Sequence, residues 1–117
     1  MIEPLVTGEI ILPSPSPDLS NATVYVRLQE TTQADALART ITEEVLTQAR
    51  ERTTSGILPF TLCGEGIDPR ARYTISVHID VNGDGAVSRG DYIHAASIPV
   101  LTYGHPNRVH VLLQVVA

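Results

Sequence analysis

Short segments in which apolar and polar residues alternate recur along this chain, and this alternation is typical of strands with one buried face. The clearest case is residues 73–79, where every second residue is large and apolar and Thr74, Ser76 and His78 fall on the opposite face. Residues 22–29 alternate in the same way. Both segments are therefore predicted to be strands of a sheet with one covered face.

Four further apolar segments are predicted to be strands, at residues 5–12, 57–62, 92–98 and 109–116. The first stops at residues 13–17, whose three prolines lack backbone donors. Pro59 cannot donate to a ladder, so its strand is predicted to be an edge strand or to carry a bulge. The segments 92–98 and 109–116 are predicted to be the last two strands, separated by breaks near Pro99 and at 103–107.

Residues 34–52 carry two conflicting patterns. The apolar residues are spaced for one face of a helix, whereas several β-branched residues favour a strand. The helix face would contain Ala34, Ala38, Ile41, Val45 and Ala49. Local sequence favours a helix, but the surrounding strands favour a strand or a hairpin arm, because tertiary context commonly overrides a weak propensity. We predict a strand.

Seven short strands in one chain of 117 residues predict an all-β fold, an antiparallel two-sheet sandwich of immunoglobulin- or transthyretin-like build. An open barrel is the alternative. The length suits a single domain over residues 1–117.

Charge and composition exclude several classes of function. The net charge is −5 at pH 7, and the eight basic residues form no cluster, so we expect no nucleic-acid binding. No apolar run is long enough to span a bilayer, and the N-terminus lacks the basic and apolar segments of a signal peptide. The chain as written is expected in the cytoplasm, or in the cell envelope or periplasm if a leader has been removed. The sequence does not indicate the oligomeric state.

Residues 80–91 match the ligand pattern of an EF-hand-type calcium loop. Ca²⁺ takes six to eight oxygens at about 2.3–2.6 Å, so a short segment must curl tightly around the ion, and Gly85 at loop position six permits that curl. Val87 at position eight is expected to anchor the loop to its own protein. The predicted ligands are the side chains of Asp80, Asn82, Asp84, Ser88 and Asp91, with Ser88 acting directly or through water, and the carbonyl of Ala86.

Position twelve of this loop is Asp91, where a longer glutamate usually binds the ion with both oxygens. We therefore expect weak calcium binding, on the order of tens of micromolar or poorer. The competing interpretation is a metal-free hairpin turn, because Asn-Gly and Asp-Gly pairs supply the positive φ angles that tight turns need.

The sequence gives little support for a disulfide, a catalytic nucleophile or a zinc site. Cys63 stands alone, which excludes an internal disulfide, and its position at the end of a strand predicts a small buried hydrophobe. No nucleophile motif is present, so we expect no enzymatic activity. His78, His94 and His110 lie on the last three predicted strands and could meet as zinc ligands, although structural or surface histidines are the default interpretation.

Several segments together resemble one family. They are Gly8-Glu9-Ile10 with Leu12-Pro13, Ala22-Thr23-Val24, Leu58-Pro59-Phe60, the segment 67–73 and the segment 98–102. With these, the chain resembles the YbaY/YscW-type domain of the lipoprotein and type III secretion pilotin-chaperone group. The resemblance implies a β-sandwich without catalytic chemistry and a protein partner, which in secretion-system members is an outer-membrane secretin.

The sequence departs from that family in two places, since it carries no lipidation signal and it adds the acidic loop 80–91. Three functional interpretations stay open. The first is a protein-interaction domain of the pilotin or chaperone kind that carries a structural calcium ion. The second is a calcium-dependent module that binds a glycan or an envelope protein. The third is a structural domain that binds no metal.

Overall fold

The computed structural model describes residues 3–14, 18–31, 39–94 and 98–116. These residues form nine strands and one short helix, where the sequence predicts seven strands and no helix. The strands are β1 (Glu3–Ile11), β2 (Thr23–Glu30), β3 (Arg39–Leu46), β4 (Ile57–Gly64), β5 (Tyr73–Asp80), β6 (Tyr92–Ile93), β7 (Ile98–Val100), β8 (Arg108–Leu112) and β9 (Gln114–Val115), and helix α1 spans Ala49–Arg52.

The smaller sheet has three strands in the order β4-β1-β8. Strand β1 pairs antiparallel with β4, so that Ile10 lies opposite Leu58. On its other side β1 runs parallel to β8, with Ile10 opposite Val111. The prediction of purely antiparallel sheets is therefore wrong at this pair. Strand β4 is an edge of this sheet, as predicted from Pro59.

The larger sheet has the order β3-β2-β5-β6-β9, and β7 also pairs with β5. Its centre is the β2–β5 ladder, in which Val26 pairs with Val77 and Tyr25 with His78. Strand β6 pairs with the end of β5 and with β9. The larger sheet thus has two long central strands and short strands at one margin.

The two sheets pack face to face through one apolar core, which confirms the predicted all-β sandwich. Side chains from both sheets belong to the same buried cluster. Gly8 of β1 lies directly under the ring of Phe60, where an added Cβ would come within 2.6 Å of the ring. The largest completely buried apolar side chains are Val6, Ile10, Val24, Val26, Leu28, Leu58, Leu62, Ile79, Val100 and Val111.

Four predictions about the elements need correction or refinement. The predicted strand 92–98 is two short strands, β6 and β7, which pair with different parts of β5, and residues 95–97 lie outside the described residues. Residues 34–52 were predicted as one strand, and the structure has β3 followed by helix α1, while residues 34–38 lie outside the described residues. The predicted strand 109–116 is two strands, β8 and β9, because the chain passes from one sheet to the other near Leu113. Pro99 was expected to break a strand, yet it lies within β7 opposite Thr74. A short strand at the margin of a sheet tolerates proline, because on one side its backbone N–H groups need not pair with another strand.

Among the described residues, no helix is long and apolar enough to cross a membrane.

Candidate functional site

The acidic loop 80–91 connects strands β5 and β6, as predicted. Asp80 is the last residue of β5, and Asp91 directly precedes β6. Because Tyr92 pairs with Ile79, the two aspartates lie at the same end of this ladder. Both carboxylates are almost completely buried, with 1% of each residue exposed. Ligand atoms of Asp80, Asp91 and His78 lie within 4.8 Å of one another.

Backbone amides of the loop point at its own carboxylates. Asp80 accepts hydrogen bonds from the N–H groups of Gly83 (3.1 Å) and Gly85 (2.7 Å). Gly85 reaches this position with φ of +80°, in the region that favours glycine. Asn82 and Asp84 accept from the amides of Asp84 and Ala86, at 3.3 and 3.0 Å. The loop therefore curls around its side-chain oxygens.

Asp91 is held by groups from both ends of the loop. Its carboxylate accepts hydrogen bonds from the N–H groups of Val81 and Ser88, each at 3.0 Å, and its Oδ2 lies 2.9 Å from Nε2 of His78. Burial raises the pKa of Asp91, but the hydrogen bonds of His78, Val81 and Ser88 outweigh it and leave this pKa below its ordinary value. The hydrogen bond from Ala86 likewise lowers the pKa of Asp84, which is exposed.

His78 also belongs to this site, although the sequence indicated a structural or surface histidine, or a zinc ligand together with His94 and His110. It lies on the outward face of β5 as predicted, but it is only 6% exposed. The ring of Tyr25 stacks on it at 5.7 Å, and Asp91 lies against its edge. The sequence indicates this contact only in part. Tyr25 and His78 both take outward positions of predicted strands, and the structure places these positions opposite each other on neighbouring strands.

The structure does not bring the three candidate zinc ligands together. His94 donates a hydrogen bond from Nδ1 to the carbonyl of Leu112, at 2.7 Å. His110 lies on β8 of the other sheet, 3.7 Å from the carboxylate of Glu9. Of the three histidines, His78 alone belongs to the group of close metal-ligating side chains found among the described residues.

Two predictions about single side chains are wrong. Val87, expected to anchor the loop to its own protein, is 59% exposed. Cys63, expected to be buried, is exposed. Burial alternates along β4, and Leu58, Phe60 and Leu62 take the inward positions, which leaves the cysteine outward.

The two segments that carry the most specific part of the family resemblance meet in space. Asp68 accepts a hydrogen bond from the amide of Arg70 at 2.9 Å, as predicted for a turn that leads into β5. The hydroxyl of Thr102 donates to the carbonyl of Ala71 at 2.6 Å. Residues 67–73 and 98–102 are therefore parts of one local structure at the end of the sandwich opposite to loop 80–91.

Comparison with known proteins identifies a solved structure with a similar fold and a family to which the chain belongs. The structure of an alternative pilotin from the type II secretion system of Vibrio cholerae has a TM-score of 0.81 and 26% sequence identity to this chain, and the match covers 100% of this chain and 99% of that one. The fold is thus that of a pilotin-like sandwich. The family model of the type III secretion system lipoprotein chaperone YscW matches residues 2–113, and the chain belongs to this family. Among curated proteins no significant match is found.

Proposed function

We propose that this protein is a chaperone-like binding domain of a bacterial secretion system, which holds a protein partner and catalyses no reaction. The observation that carries this proposal is the family membership over residues 2–113, together with the full-length similarity to a secretion-system pilotin. Both relatives are of non-enzymatic kinds. The partner suggested by the family resemblance is the outer-membrane secretin of the same host.

Co-purification tests this proposal. The tagged protein is expressed together with the secretin of its host, and the secretin retained on the affinity resin is quantified. We expect retention that survives washing and that untagged protein competes away. Absence of retention would contradict the proposal. A glycan array run in parallel tests the alternative of a glycan-binding module.

We further propose that loop 80–91 binds a structural calcium ion through the side chains of Asp80, Asn82, Asp84, Ser88 and Asp91 and the carbonyl of Ala86. The supporting observation is the pair of buried carboxylates of Asp80 and Asp91, whose oxygens lie within 4.8 Å of each other. Two negative charges at this distance repel each other when they are both shielded from water, and a bound dication would relieve that repulsion.

The donor set fits a hard cation, since every proposed ligand atom is an oxygen. The two amide donors to Asp91, Val81 and Ser88, together with the ring of His78, already use part of the bonding capacity of this carboxylate. A carboxylate held in this way is poorly placed to bind an ion with both oxygens. This agrees with weak affinity, on the order of tens of micromolar or poorer.

Isothermal titration tests the calcium proposal. Wild type is expected to bind one calcium ion, and the Asp80→Ala, Asp84→Ala double variant is expected to bind none. The Glu44→Ala, Glu51→Ala double variant is the matched control, because it removes two exposed carboxylates that are not part of the loop. A null titration of wild type would leave loop 80–91 as a plain hairpin turn.

A further inference from the structure

One buried group of metal-ligating side chains at the base of loop 80–91 contains a nitrogen atom. It consists of His78, Asp80 and Asp91, which are 6%, 1% and 1% exposed. One ligand atom from each residue lies within 4.8 Å of the other two. The calcium ligand set uses both carboxylates but not the imidazole, because Ca²⁺ is a hard cation that takes oxygen ligands. The structure therefore places a ligand that calcium does not use beside the two buried carboxylates.

Strand pairing brings the three side chains together. His78 and Asp80 are two residues apart on β5, so their side chains point to the same face of the sheet. Strand β6 pairs with this end of β5, with Ile93 opposite His78. Asp91 directly precedes β6, and its carboxylate lies against the edge of the imidazole ring. The group is thus positioned by regular strands as well as by the loop.

The distances within the group suit an ion with short bonds. Zinc binds histidine nitrogen and carboxylate oxygen at about 2.0–2.2 Å in tetrahedral geometry, so two of its ligands lie about 3.4 Å apart. Nε2 of His78 lies 2.9 Å from Oδ2 of Asp91. No two of the three ligand atoms are more than 4.8 Å apart. These separations lie on either side of the value around zinc, so small side-chain rotations suffice to surround an ion.

Contacts around the group hold its side chains in a fixed orientation. The ring of Tyr25 stacks on His78, with centroids 5.7 Å apart and planes 16° from parallel. Backbone amides donate to Asp80 at 2.7 and 3.1 Å, and to Asp91 at 3.0 Å. Such outer contacts are typical of metal sites, where they orient the ligands and tune the affinity.

Only one hydrogen bond within the group has to give way to an ion. In the tautomer that carries its proton on Nδ1, Nε2 of His78 has a free lone pair and donates nothing to Asp91. A metal ion bound by both atoms then takes the place of their hydrogen bond. A divalent ion also neutralises the two buried carboxylates, whose charges repel each other without it.

We propose that His78, Asp80 and Asp91 form a binding site for zinc or a similar first-row transition ion, with water completing the coordination. Imidazole and carboxylate together are ligands that such ions accept. The site goes beyond the proposed function, because it requires neither calcium nor a protein partner. It shares Asp80 and Asp91 with the proposed calcium site, so the two ions compete for these carboxylates.

Isothermal titration of the tag-free protein with zinc, and separately with calcium, tests the proposal. His78→Gln keeps an N–H donor toward Asp91 but removes the nitrogen ligand. Its zinc affinity should fall at least about tenfold, since even the loss of groups that only orient metal ligands costs about 10–100-fold. Its calcium affinity should stay near that of wild type. Asp84→Asn removes an exposed calcium ligand that the zinc site does not use, so it should weaken calcium binding and spare zinc binding.

The matched control is His110→Gln, which removes a histidine whose side chain is 65% exposed on the other sheet. Loss of zinc binding in His78→Gln supports the site if the control and Asp84→Asn bind zinc like wild type and all variants keep the wild-type thermal unfolding curve. The site is overturned if wild type binds no zinc, if His78→Gln binds zinc as wild type does, or if either of the other variants loses as much affinity.

The two titrations separate this site from the proposed calcium loop. Zinc binding that depends on His78, in a wild type that binds no calcium, leaves the site standing and removes only the calcium proposal. Calcium binding without zinc binding does the reverse.

NMR of wild type covers the case in which His78→Gln does not fold. Zinc should shift the ring nitrogen resonances of His78 and leave those of His94, His105 and His110 in place. Shifts confined to the other three histidines would overturn the site.

Discussion

Two irregular segments, loop 80–91 and the turn 101–106, lie at opposite ends of β5. Both bend the chain sharply, but they differ in the residues that take a positive φ. Loop 80–91 places glycines, among them Gly85, where φ is positive. The turn 101–106 has one such glycine, Gly104, but it also places Leu101 and Tyr103 there. In the loop the positive φ angles thus fall on glycines, whereas in the turn two of them fall on larger residues, and side-chain hydrogen bonds to residues 70 and 71 hold these residues.

The hydrogen bonds of the two segments follow the same division. The carboxylate of Asp80 accepts from amides a few residues further along its own loop. The hydroxyl of Thr102 instead reaches Ala71, a residue distant in sequence. A segment organised by its own residues can respond to a small ligand such as an ion, while a segment held by a neighbour keeps its shape for as long as that neighbour stays folded.

The largest expected difference between the two segments is their response to calcium. At a free calcium concentration 100 times the Kd, binding to the folded state adds about 2.7 kcal/mol to the free energy of unfolding. We expect EDTA to remove this gain from wild type and from Tyr103→Asn alike, and to have no effect on Asp80→Ala. Thermal unfolding with and without EDTA measures the effect. An unchanged melting temperature in wild type would show that the loop needs no ion.

The next largest effect is expected from Thr102→Val, which removes the buried hydroxyl that fixes the turn. The carbonyl of Ala71 then lacks its partner, and the free energy of unfolding should fall by about 2 kcal/mol. Urea unfolding measures this change. Thr61→Val, at an exposed position of β4, is the control and should stay close to wild type. If the free energy of unfolding falls no more in Thr102→Val than in Thr61→Val, the hydrogen bond to Ala71 does not stabilise the fold.

A smaller effect is expected from Gly85→Ala. The added Cβ meets no atom within 4 Å, so the cost is that of the left-handed backbone alone, about 1–2 kcal/mol. Gly85→Asn should be milder, because asparagine tolerates this conformation better than alanine does. Urea unfolding of both variants in EDTA makes the comparison. Equal losses would indicate that something other than backbone conformation determines the cost.

The smallest effect concerns pH. Because the pKa of Asp91 is lowered in the folded state, its ionised form stabilises the fold above the unfolded pKa of about 3.9. This stabilisation is lost as the pH falls through the folded value. Unfolding midpoints in EDTA should therefore decline more steeply with acid in wild type than in Asp91→Asn. Thr102→Val should keep the wild-type slope, since residues 101–106 contain no carboxyl group.

The regular part of the fold was predictable because local periodicity determines it. The alternation in residues 22–29 and 73–79 corresponds to β2 and β5, and the apolar positions of both form the core. The site was predictable in the same way as far as loop 80–91 is concerned, because its glycines and carboxylates are spaced for one local bend. The family resemblance also rested on contiguous segments, and the family match confirmed it.

What could not be predicted depends on contacts between distant residues. The structure pairs β1 with β8 in parallel, and the sequences of these two strands do not indicate whether they pair parallel or antiparallel. Cys63 looked apolar enough to be buried, but the register of β4 turns it outward. His78 alternates like a surface residue, and Tyr25 from the next strand covers it. No turn rule assigns positive φ to Leu101 or Tyr103, and the contacts that this turn makes with residues 70–72 join segments distant in sequence.

The parallel pair in the smaller sheet also affects how the chain folds. Strand β1 pairs with β4 on one side and with β8 on the other, and residues 108–112 of β8 follow nearly all the other strands in sequence. Until then one margin of β1 stays open, and its amide and carbonyl groups can pair with another chain. Domains in which such distant segments must meet tend to fold within milliseconds to seconds. We therefore expect that self-association of the nascent protein competes with closure of its own sandwich.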